Sequence, residues 1–127
     1  MYARQHHMGS IALLEDNVDS ADLIQIILNE HNVEWFSMAQ PFLESFGSSA
    51  FDLILLDISL PDTNGYDVYY AIRQVDPDIP VIIISAHAQP EAIKEALEIG
   101  ACDYITKPII DVDAFKDIIR RNLSHNG

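Results

Sequence analysis

Residues 52–57 read DLILLD and residues 81–85 read VIIIS, and these two runs decide the fold of the chain. Each run is apolar on both faces of an extended strand, which is typical of central strands in a parallel sheet that helices cover on each side. Neither run approaches the roughly 20 apolar residues that are needed to cross a bilayer. The two runs therefore predict buried strands of a mixed α/β protein that does not associate with membranes.

Similar apolar runs recur along the chain and alternate with longer segments of helical period. Pro77, Pro90 and Gly100 stand where the third predicted helix should end and where the fourth should begin and end. Five β/α units in a single domain predict an α/β fold of the flavodoxin-like type, a doubly wound five-stranded parallel sheet with helices on both faces. The predicted strands are IALL at 11–14, VEWFS at 33–37, DLILL at 52–56, VIIIS at 81–85 and DYIT at 103–106, and the predicted helices lie within 18–31 and at about 39–47, 65–75, 90–99 and 112–123.

The composition favours one intracellular domain. The chain has 127 residues, of which 49% are hydrophobic and 21% are charged, and this is enough to bury one core. Its single cysteine, Cys102, cannot form an intrachain disulfide, which favours a reducing, cytoplasmic compartment. Residues 1–10, MYARQHHMGS, look like a cloning or tag remnant and lack an apolar signal core, so the predicted domain spans 11–127.

The charge of the chain is strongly acidic. Asp and Glu number 20 against 7 Lys and Arg, which gives a formal net charge of −13. Such a surface repels phosphate backbones, so the domain itself is not expected to bind nucleic acid. The acidity suits the binding of a cation or docking on a basic partner.

Polar residues stand where the predicted strands end. Glu15 and Asp16 follow the first strand, Asp57 ends the third, Ser85 ends the fourth and Lys107 follows the fifth. Ligands of open parallel sheets bind at the carboxyl ends of the strands, beside the point where the strand order reverses. Three acids, one hydroxyl and one lysine are therefore predicted to converge on one edge of the sheet.

This combination of side chains indicates phosphoryl transfer. Convergent carboxylates repel one another unless a cation lies among them, and hard oxygen ligands favour Mg²⁺. The lysine supplies a positive charge for phosphate oxygens. A carboxylate nucleophile, a metal that neutralises charge in the transition state and donors to the phosphoryl oxygens are the parts that such a reaction needs.

The chain resembles the receiver domains of response regulators, of the chemotaxis-regulator-like kind, from Ile11 to about Leu123. The motifs that carry the resemblance are the acidic pair Glu15-Asp16, the run DISLPDTNG at 57–65, the pair Ser85-Ala86, the aromatic Tyr104 and the pair Lys107-Pro108. In that family the peptide bond that follows the lysine of the Lys-Pro pair is usually cis.

The resemblance implies a phosphorylation switch in two-component signalling and not a turnover enzyme. A phosphohistidine on a sensor histidine kinase or a histidine phosphotransfer protein would donate its phosphoryl group to Asp57. Mg²⁺, or Mn²⁺ in its place, would be held by Asp16, Asp57 and the Ser59 backbone carbonyl. Glu15 would contact the metal directly or through water.

The resemblance also implies how the signal would leave the site. Lys107 and the Ser85 hydroxyl would bind the phosphoryl oxygens, and Tyr104 would turn inward behind Ser85. This movement would remodel the face made by the fourth helix, the fifth strand and the fifth helix, which is also a possible homodimer surface. His87 is predicted to be a solvent-facing loop residue, at a position that in the family borders the phosphoryl group.

The sequence departs from the family's pattern at three places. Glu15 replaces a common aspartate and adds one methylene, which bears on how it contacts the metal. Asn64 replaces a common aspartate in the loop before Gly65. Cys102-Asp103 stands where many transcription-factor receivers carry an acidic doublet, which bears on their charged dimer interface.

Taken one at a time, several of these residues also fit ordinary structural roles. Ser85 fits a cap of the following turn and Lys107 a surface lysine before a turn proline. Tyr104 fits a half-buried strand aromatic, and Trp35 and Cys102 are predicted to be packing residues.

Two other functions share parts of the pattern. Haloacid-dehalogenase-like phosphatases also use an aspartate nucleophile with Mg²⁺, but they need a second aspartate two residues later as a general acid, where this chain has Ser59. The other is a receiver-like interaction module that does not need phosphate, and the intact Asp57, Ser85 and Lys107 argue against it. Three contexts stay open: a complete single-domain regulator, the receiver of a transcription factor, and the receiver of a hybrid kinase.

Overall fold

The computed structural model describes residues 9–48 and 50–126, which form five strands that alternate with five helices. The predicted elements are confirmed, and their bounds differ by a few residues at most. The strands are β1 (Ser10–Leu14), β2 (Asn32–Phe36), β3 (Leu53–Asp57), β4 (Val81–Ser85) and β5 (Asp103–Thr106), and the helices are α1 (Val18–Ile27), α2 (Ala39–Phe46), α3 (Gly65–Val75), α4 (Pro90–Glu98) and α5 (Val112–Asn126).

The first strand begins earlier than the sequence predicts, because Ser10 pairs with Asn32 of β2. Residues 1–8 of the predicted tag remnant lie outside the described residues. No helix of the described part of the chain is long and apolar enough to cross a bilayer.

The five strands form one parallel sheet in the order β2-β1-β3-β4-β5. The order reverses between β1 and β3, because the chain first adds β2 on one side of β1 and then adds β3 on the other. The predicted doubly wound, flavodoxin-like sheet is therefore confirmed, and its switch point lies where β1 and β3 end side by side.

Two cores cover the two faces of this sheet, and alternate residues of each strand belong to different cores. In β3, Leu53 and Leu55 pack with α1 and α5, whereas Ile54 and Leu56 pack with α2 and α3. All four side chains are fully buried. This is the physical reason why the run LILL is apolar at every position.

The ends of the helices follow from local chemistry. The Asn17 side chain accepts a hydrogen bond from the Ser20 backbone N–H and caps α1. Gly100 ends α4 with a φ of 115°, a conformation that disfavours residues with a side chain. A Cβ atom at this position would also lie 2.6 Å from the Tyr69 hydroxyl, so the turn from α4 to β5 requires glycine.

Candidate functional site

Asp57 is the last residue of β3 and lies next to the switch point of the sheet. Its side chain is buried, with 2% of the residue exposed. Oδ1 accepts a hydrogen bond of 2.8 Å from the Ser59 backbone N–H, and Oδ2 accepts one of 2.7 Å from the Lys107 ammonium. The carboxylate is therefore buried but compensated at both oxygens, as a charged group at the end of a central strand requires.

Glu15 follows β1 and is fully buried. Its Oε1 accepts a bond of 2.9 Å from Lys107, and its Oε2 accepts one of 3.1 Å from the Asn17 backbone N–H. The Glu15 peptide is held by two consecutive residues of β2, because its N–H donates to the Phe36 carbonyl at 3.0 Å and its carbonyl accepts the Trp35 indole N–H at 2.6 Å. Trp35, predicted as a packing residue, thus supports the acidic turn directly. The same prediction for Cys102 is wrong, because that side chain is exposed.

The electrostatics of the site depend on one shared ammonium group. Burial of the Lys107 side chain tends to lower its pKa, but the hydrogen bonds to Asp57 and Glu15 outweigh burial, and the pKa lies above its ordinary value. Burial raises the pKa of Glu15, and the neighbouring Asp57 adds to this effect, whereas the hydrogen bonds from Lys107 and Asn17 oppose it. Lys107 is therefore charged, and it reduces the repulsion between two buried acids.

Asp16 adds a third, exposed carboxylate to this pair. One oxygen from each of Glu15, Asp16 and Asp57 can be chosen so that the three atoms lie within 4.8 Å of one another. Lys107 offsets only one of the three charges, so two negative charges remain in excess. The surplus charge and the all-oxygen donor set fit a hard divalent cation such as Mg²⁺.

Ser85 and Lys107 are brought together by the ends of β4 and β5. Ser85 pairs with Thr106 in the sheet, and its carbonyl accepts a bond of 2.8 Å from the Lys107 backbone N–H. The peptide bond between Lys107 and Pro108 is cis, as the resemblance predicts. Only 19% of the Lys107 side chain is exposed, so the interpretation as an ordinary surface lysine is wrong.

The Ser85 side chain does cap the following turn, and this role leaves its own proton free for another acceptor. Its Oγ accepts a bond of 3.0 Å from the His87 backbone N–H. The His87 carbonyl in turn accepts a bond of 2.7 Å from the Tyr104 hydroxyl. His87 is exposed, as predicted, whereas Tyr104 is half-buried and packs against the core that covers the α2 and α3 side of the sheet.

The loop after Asp57, residues 58–64, closes tightly onto the start of α3. The Gly65 N–H donates to the Ile58 carbonyl at 3.2 Å, and a Cβ atom on Gly65 would lie 2.2 Å from the Ile58 Cα. No side chain can fit there without moving the backbone, which explains the glycine. Asn64, noted as a departure from the family's pattern, caps α3 by accepting the Tyr66 N–H at 2.8 Å.

We expect the Asp16→Asn substitution to stabilise the metal-free protein. It removes an exposed charge that Glu15 and Asp57 repel. Two unit charges about 4 Å apart interact by roughly 1 kcal/mol in water, and we expect a gain in unfolding free energy of that order. The variant should also bind Mg²⁺ more weakly, so Mg²⁺ should raise its melting temperature less than that of the wild type. Urea denaturation and thermal melts with and without Mg²⁺ measure both effects. A metal-free variant that is clearly less stable than the wild type would show that Asp16 has a structural partner.

The sequence matches the family profile described as the response regulator receiver domain over residues 11–120. The regulatory protein LuxO of Vibrio cholerae is 35% identical over 98 residues, which cover 76% of this chain and 22% of the relative. The transcriptional regulatory protein ZraR of Escherichia coli is 30% identical over 122 residues, which cover 94% of this chain and 27% of the relative. The chain therefore spans about a quarter of the length of these curated relatives.

Solved structures of receiver domains have the same fold. The BeF₃-activated DrrB receiver domain superimposes with a TM-score of 0.83 at 28% identity, covering 92% of this chain and 98% of that one. A CheY-like response regulator receiver domain protein from Methanospirillum hungatei gives a TM-score of 0.83 at 26% identity, covering 94% and 96%.

Proposed function

This chain belongs to the response regulator receiver domain family, and from that premise we propose that it is a phosphorylation-switched signalling domain in which Asp57 accepts the phosphoryl group. The observation that carries the proposal is the bond between the Lys107 ammonium and Asp57 Oδ2, inside a cluster of three carboxylates. Such an arrangement presents a buried carboxylate nucleophile beside a cation for phosphate oxygens and beside a cluster of acids that suits a divalent metal.

The proposed reaction is the transfer of a phosphoryl group from a phosphohistidine. An Asp57 carboxylate oxygen forms the new O–P bond while the P–N bond breaks, and the electron pair of that bond stays on the leaving imidazole, which takes up a proton. Receiver domains bind Mg²⁺ at an acidic pocket, and here Asp16, Asp57 and the Ser59 carbonyl would hold it, with Mn²⁺ able to substitute. The metal, when bound, neutralises charge on the phosphoryl oxygens.

Glu15 is fully buried, and its two carboxylate oxygens accept hydrogen bonds from Lys107 and Asn17. Its proposed role is to orient the Lys107 ammonium and to act on the metal through water. Lys107 then donates to a phosphoryl oxygen after the transfer. The Glu15 side chain reaches the lysine while its peptide stays fixed to β2.

A chain of hydrogen bonds supports a route for the signal. Ser85 Oγ keeps its proton free while it accepts from His87, so the hydroxyl could donate to the phosphoryl group without giving up that bond. A shift of Ser85 would pull on the His87 backbone, whose carbonyl holds the Tyr104 hydroxyl. Tyr104 is therefore the proposed switch residue, which shifts between two packings when Asp57 is phosphorylated.

The output of the switch is proposed to be the face made by α4, β5 and α5, which is also the proposed homodimer surface. On this face Leu97 is 46% exposed, and Arg121 forms an ion pair with Asp103 inside the same chain. Cys102-Asp103 stands in place of the acidic doublet of other receivers, and its one acid is paired within the chain, so dimerisation here would depend more on apolar contacts of α4. Members of the family interact with histidine kinases, and a kinase or a histidine phosphotransfer protein is the proposed phosphodonor.

Incubation with acetyl phosphate and Mg²⁺ tests the proposal. We expect one acid-labile phosphoryl adduct per chain by intact mass spectrometry, and we expect no adduct when a chelator removes the metal. A generic phosphomonoester serves as the comparison substrate, because sustained turnover of it would favour a phosphatase. The absence of any Mg²⁺-dependent adduct, together with unchanged amide spectra on addition of beryllofluoride, would favour a phosphate-independent interaction module.

A further inference from the structure

We propose that Asp62 is a positioning residue for the acidic pocket, and that it holds the loop carrying Ser59 by binding the amino terminus of α2. The Asp62 carboxylate accepts hydrogen bonds from the backbone N–H groups of Ala39 and Gln40, each 3.0 Å long. Asp62 lies 23 residues after Ala39 and 22 after Gln40, so these bonds join two distant parts of the chain.

The amino terminus of α2 is capped by the Asp62 carboxylate, which comes from a different part of the chain. The N-cap residue of α2 is Met38, whose side chain makes no capping hydrogen bond within the described part of the chain. The third helical residue is Pro41, which has no backbone N–H to satisfy. Ala39 and Gln40 therefore hold the donors of the first turn that most need an acceptor, and Asp62 satisfies both of them while placing a negative charge at the positive end of the helix.

The same two bonds restrain the loop that leads away from Asp57. Within residues 58–64, the Ser59 N–H is bound to Asp57 Oδ1, and Leu60 is buried in the core. Further along the loop, the Asp62 carboxylate is bound by two backbone N–H groups of α2, which is a different element of the fold. The Ser59 backbone is therefore held from both sides, by the Asp57 carboxylate before it and by the attachment of Asp62 to α2 after it.

Restraint of the loop should favour metal binding, because the Ser59 carbonyl is one of the proposed metal ligands. This part of the inference rests on the proposed function. Groups that orient metal ligands without touching the metal typically account for ten- to a hundred-fold in affinity. We expect Asp62→Ala to weaken Mg²⁺ binding by about ten-fold and to slow phosphorylation of Asp57 by acetyl phosphate at a fixed, subsaturating Mg²⁺ concentration. At saturating Mg²⁺ the rate should recover, because Asp62 is not expected to touch the reacting atoms.

Loss of the α2 cap would by itself lower the stability of the protein, so the capping role of Asp62 must be tested separately from its effect on the loop. The double variant Asp62→Ala/Met38→Asp does this, because an aspartate at the N-cap can accept the Gln40 N–H locally. Met38 is 43% exposed, and the double variant has the same net charge as the wild type. Asp67→Ala, which removes an exposed acid from the first turn of α3, is the control for loss of one charge.

Two readouts decide the question. Mg²⁺ affinity is followed by the fluorescence of Trp35, the single tryptophan, whose indole is bound to the Glu15 carbonyl. Hydrogen exchange of the Ser59 amide, measured without metal, reports on the loop even if Mg²⁺ binding fails. In the double variant we expect the melting temperature to return to that of the wild type, while Mg²⁺ affinity stays reduced and Ser59 exchange stays fast.

The outcomes separate this inference from the proposed function. A double variant with wild-type Mg²⁺ affinity and wild-type Ser59 exchange overturns the inference, because Asp62 is then only a cap for α2. An Asp67→Ala variant that loses as much Mg²⁺ affinity as Asp62→Ala overturns it as well, because general charge then explains the effect. If the wild type binds no Mg²⁺, the proposed function fails, and Ser59 exchange still decides whether Asp62 holds the loop.

Discussion

Asp57→Asn is expected to abolish the acid-labile phosphoryl adduct completely. The amide that replaces the carboxylate is a far weaker nucleophile, and Asp57 is the buried acid that ends a central strand and contacts the Lys107 ammonium at 2.7 Å. The variant should still fold, because asparagine has a similar shape and its side-chain oxygen can accept the bond from Ser59. Intact mass spectrometry after incubation with acetyl phosphate and Mg²⁺ measures the loss.

A matched control lies at the other end of the same strand. Asp52 is exposed and directly precedes β3, so it lies at the amino ends of the strands, whereas Asp57 lies at their carboxyl ends. Asp52→Asn should therefore leave the adduct unchanged. A full Mg²⁺-dependent adduct on the Asp57→Asn variant would place the phosphoacceptor elsewhere and would overturn the proposed function.

Lys107→Ala is expected to have the largest effect on the stability of the metal-free protein. It leaves the buried carboxylates of Glu15 and Asp57 without their shared ammonium, and removal of one partner from a buried ion pair typically lowers the free energy of unfolding by about 3 kcal/mol. Mg²⁺ should still bind, because its proposed ligands Asp16, Asp57 and the Ser59 carbonyl all remain. Bound Mg²⁺ should recover more stability in the variant than in the wild type.

The same variant should uncouple phosphorylation from the conformational response. Without the ammonium, the described residues of the site include no positive side chain that could bind phosphoryl oxygens. Beryllofluoride should therefore change the amide resonance of Tyr104 much less than in the wild type. Lys94→Ala is the matched control, because Lys94 forms an exposed pair with Glu98 and such pairs contribute little. Loss of Mg²⁺ affinity with a preserved response would mean that the roles of lysine and metal are reversed.

The sequence predicts the fold and the main residues of the site because both depend on short-range patterns. An apolar run followed by an acid marks the end of β3. In a parallel sheet the carboxyl ends of all strands lie on the same side, so the residues that follow the strands come together. Supporting residues carry no such pattern. Trp35 reaches the Glu15 carbonyl, and Asp62 reaches α2, only because distant segments approach in the folded chain.

The Asn64 cap is an intermediate case. An asparagine directly before a helical period is a recognised start signal, so this role could be read from the sequence once the boundary of α3 is known. Asn64 replaces an aspartate that is common in the family, and the structure gives it a local hydrogen bond from the Tyr66 N–H.

The shared ammonium of Lys107 also has a consequence for the order of events during synthesis and folding. Lys107 is separated by 92 residues from Glu15 and by 50 from Asp57, so the contacts that complete the pocket are among the most non-local in the chain. Such contacts form only after the intervening loops have closed. A growing chain that has been synthesised only as far as β4 already contains all three acids but lacks their ammonium group. The pocket is therefore completed only after the last strand, and a chain that lacks β5 and Lys107 lacks the finished pocket.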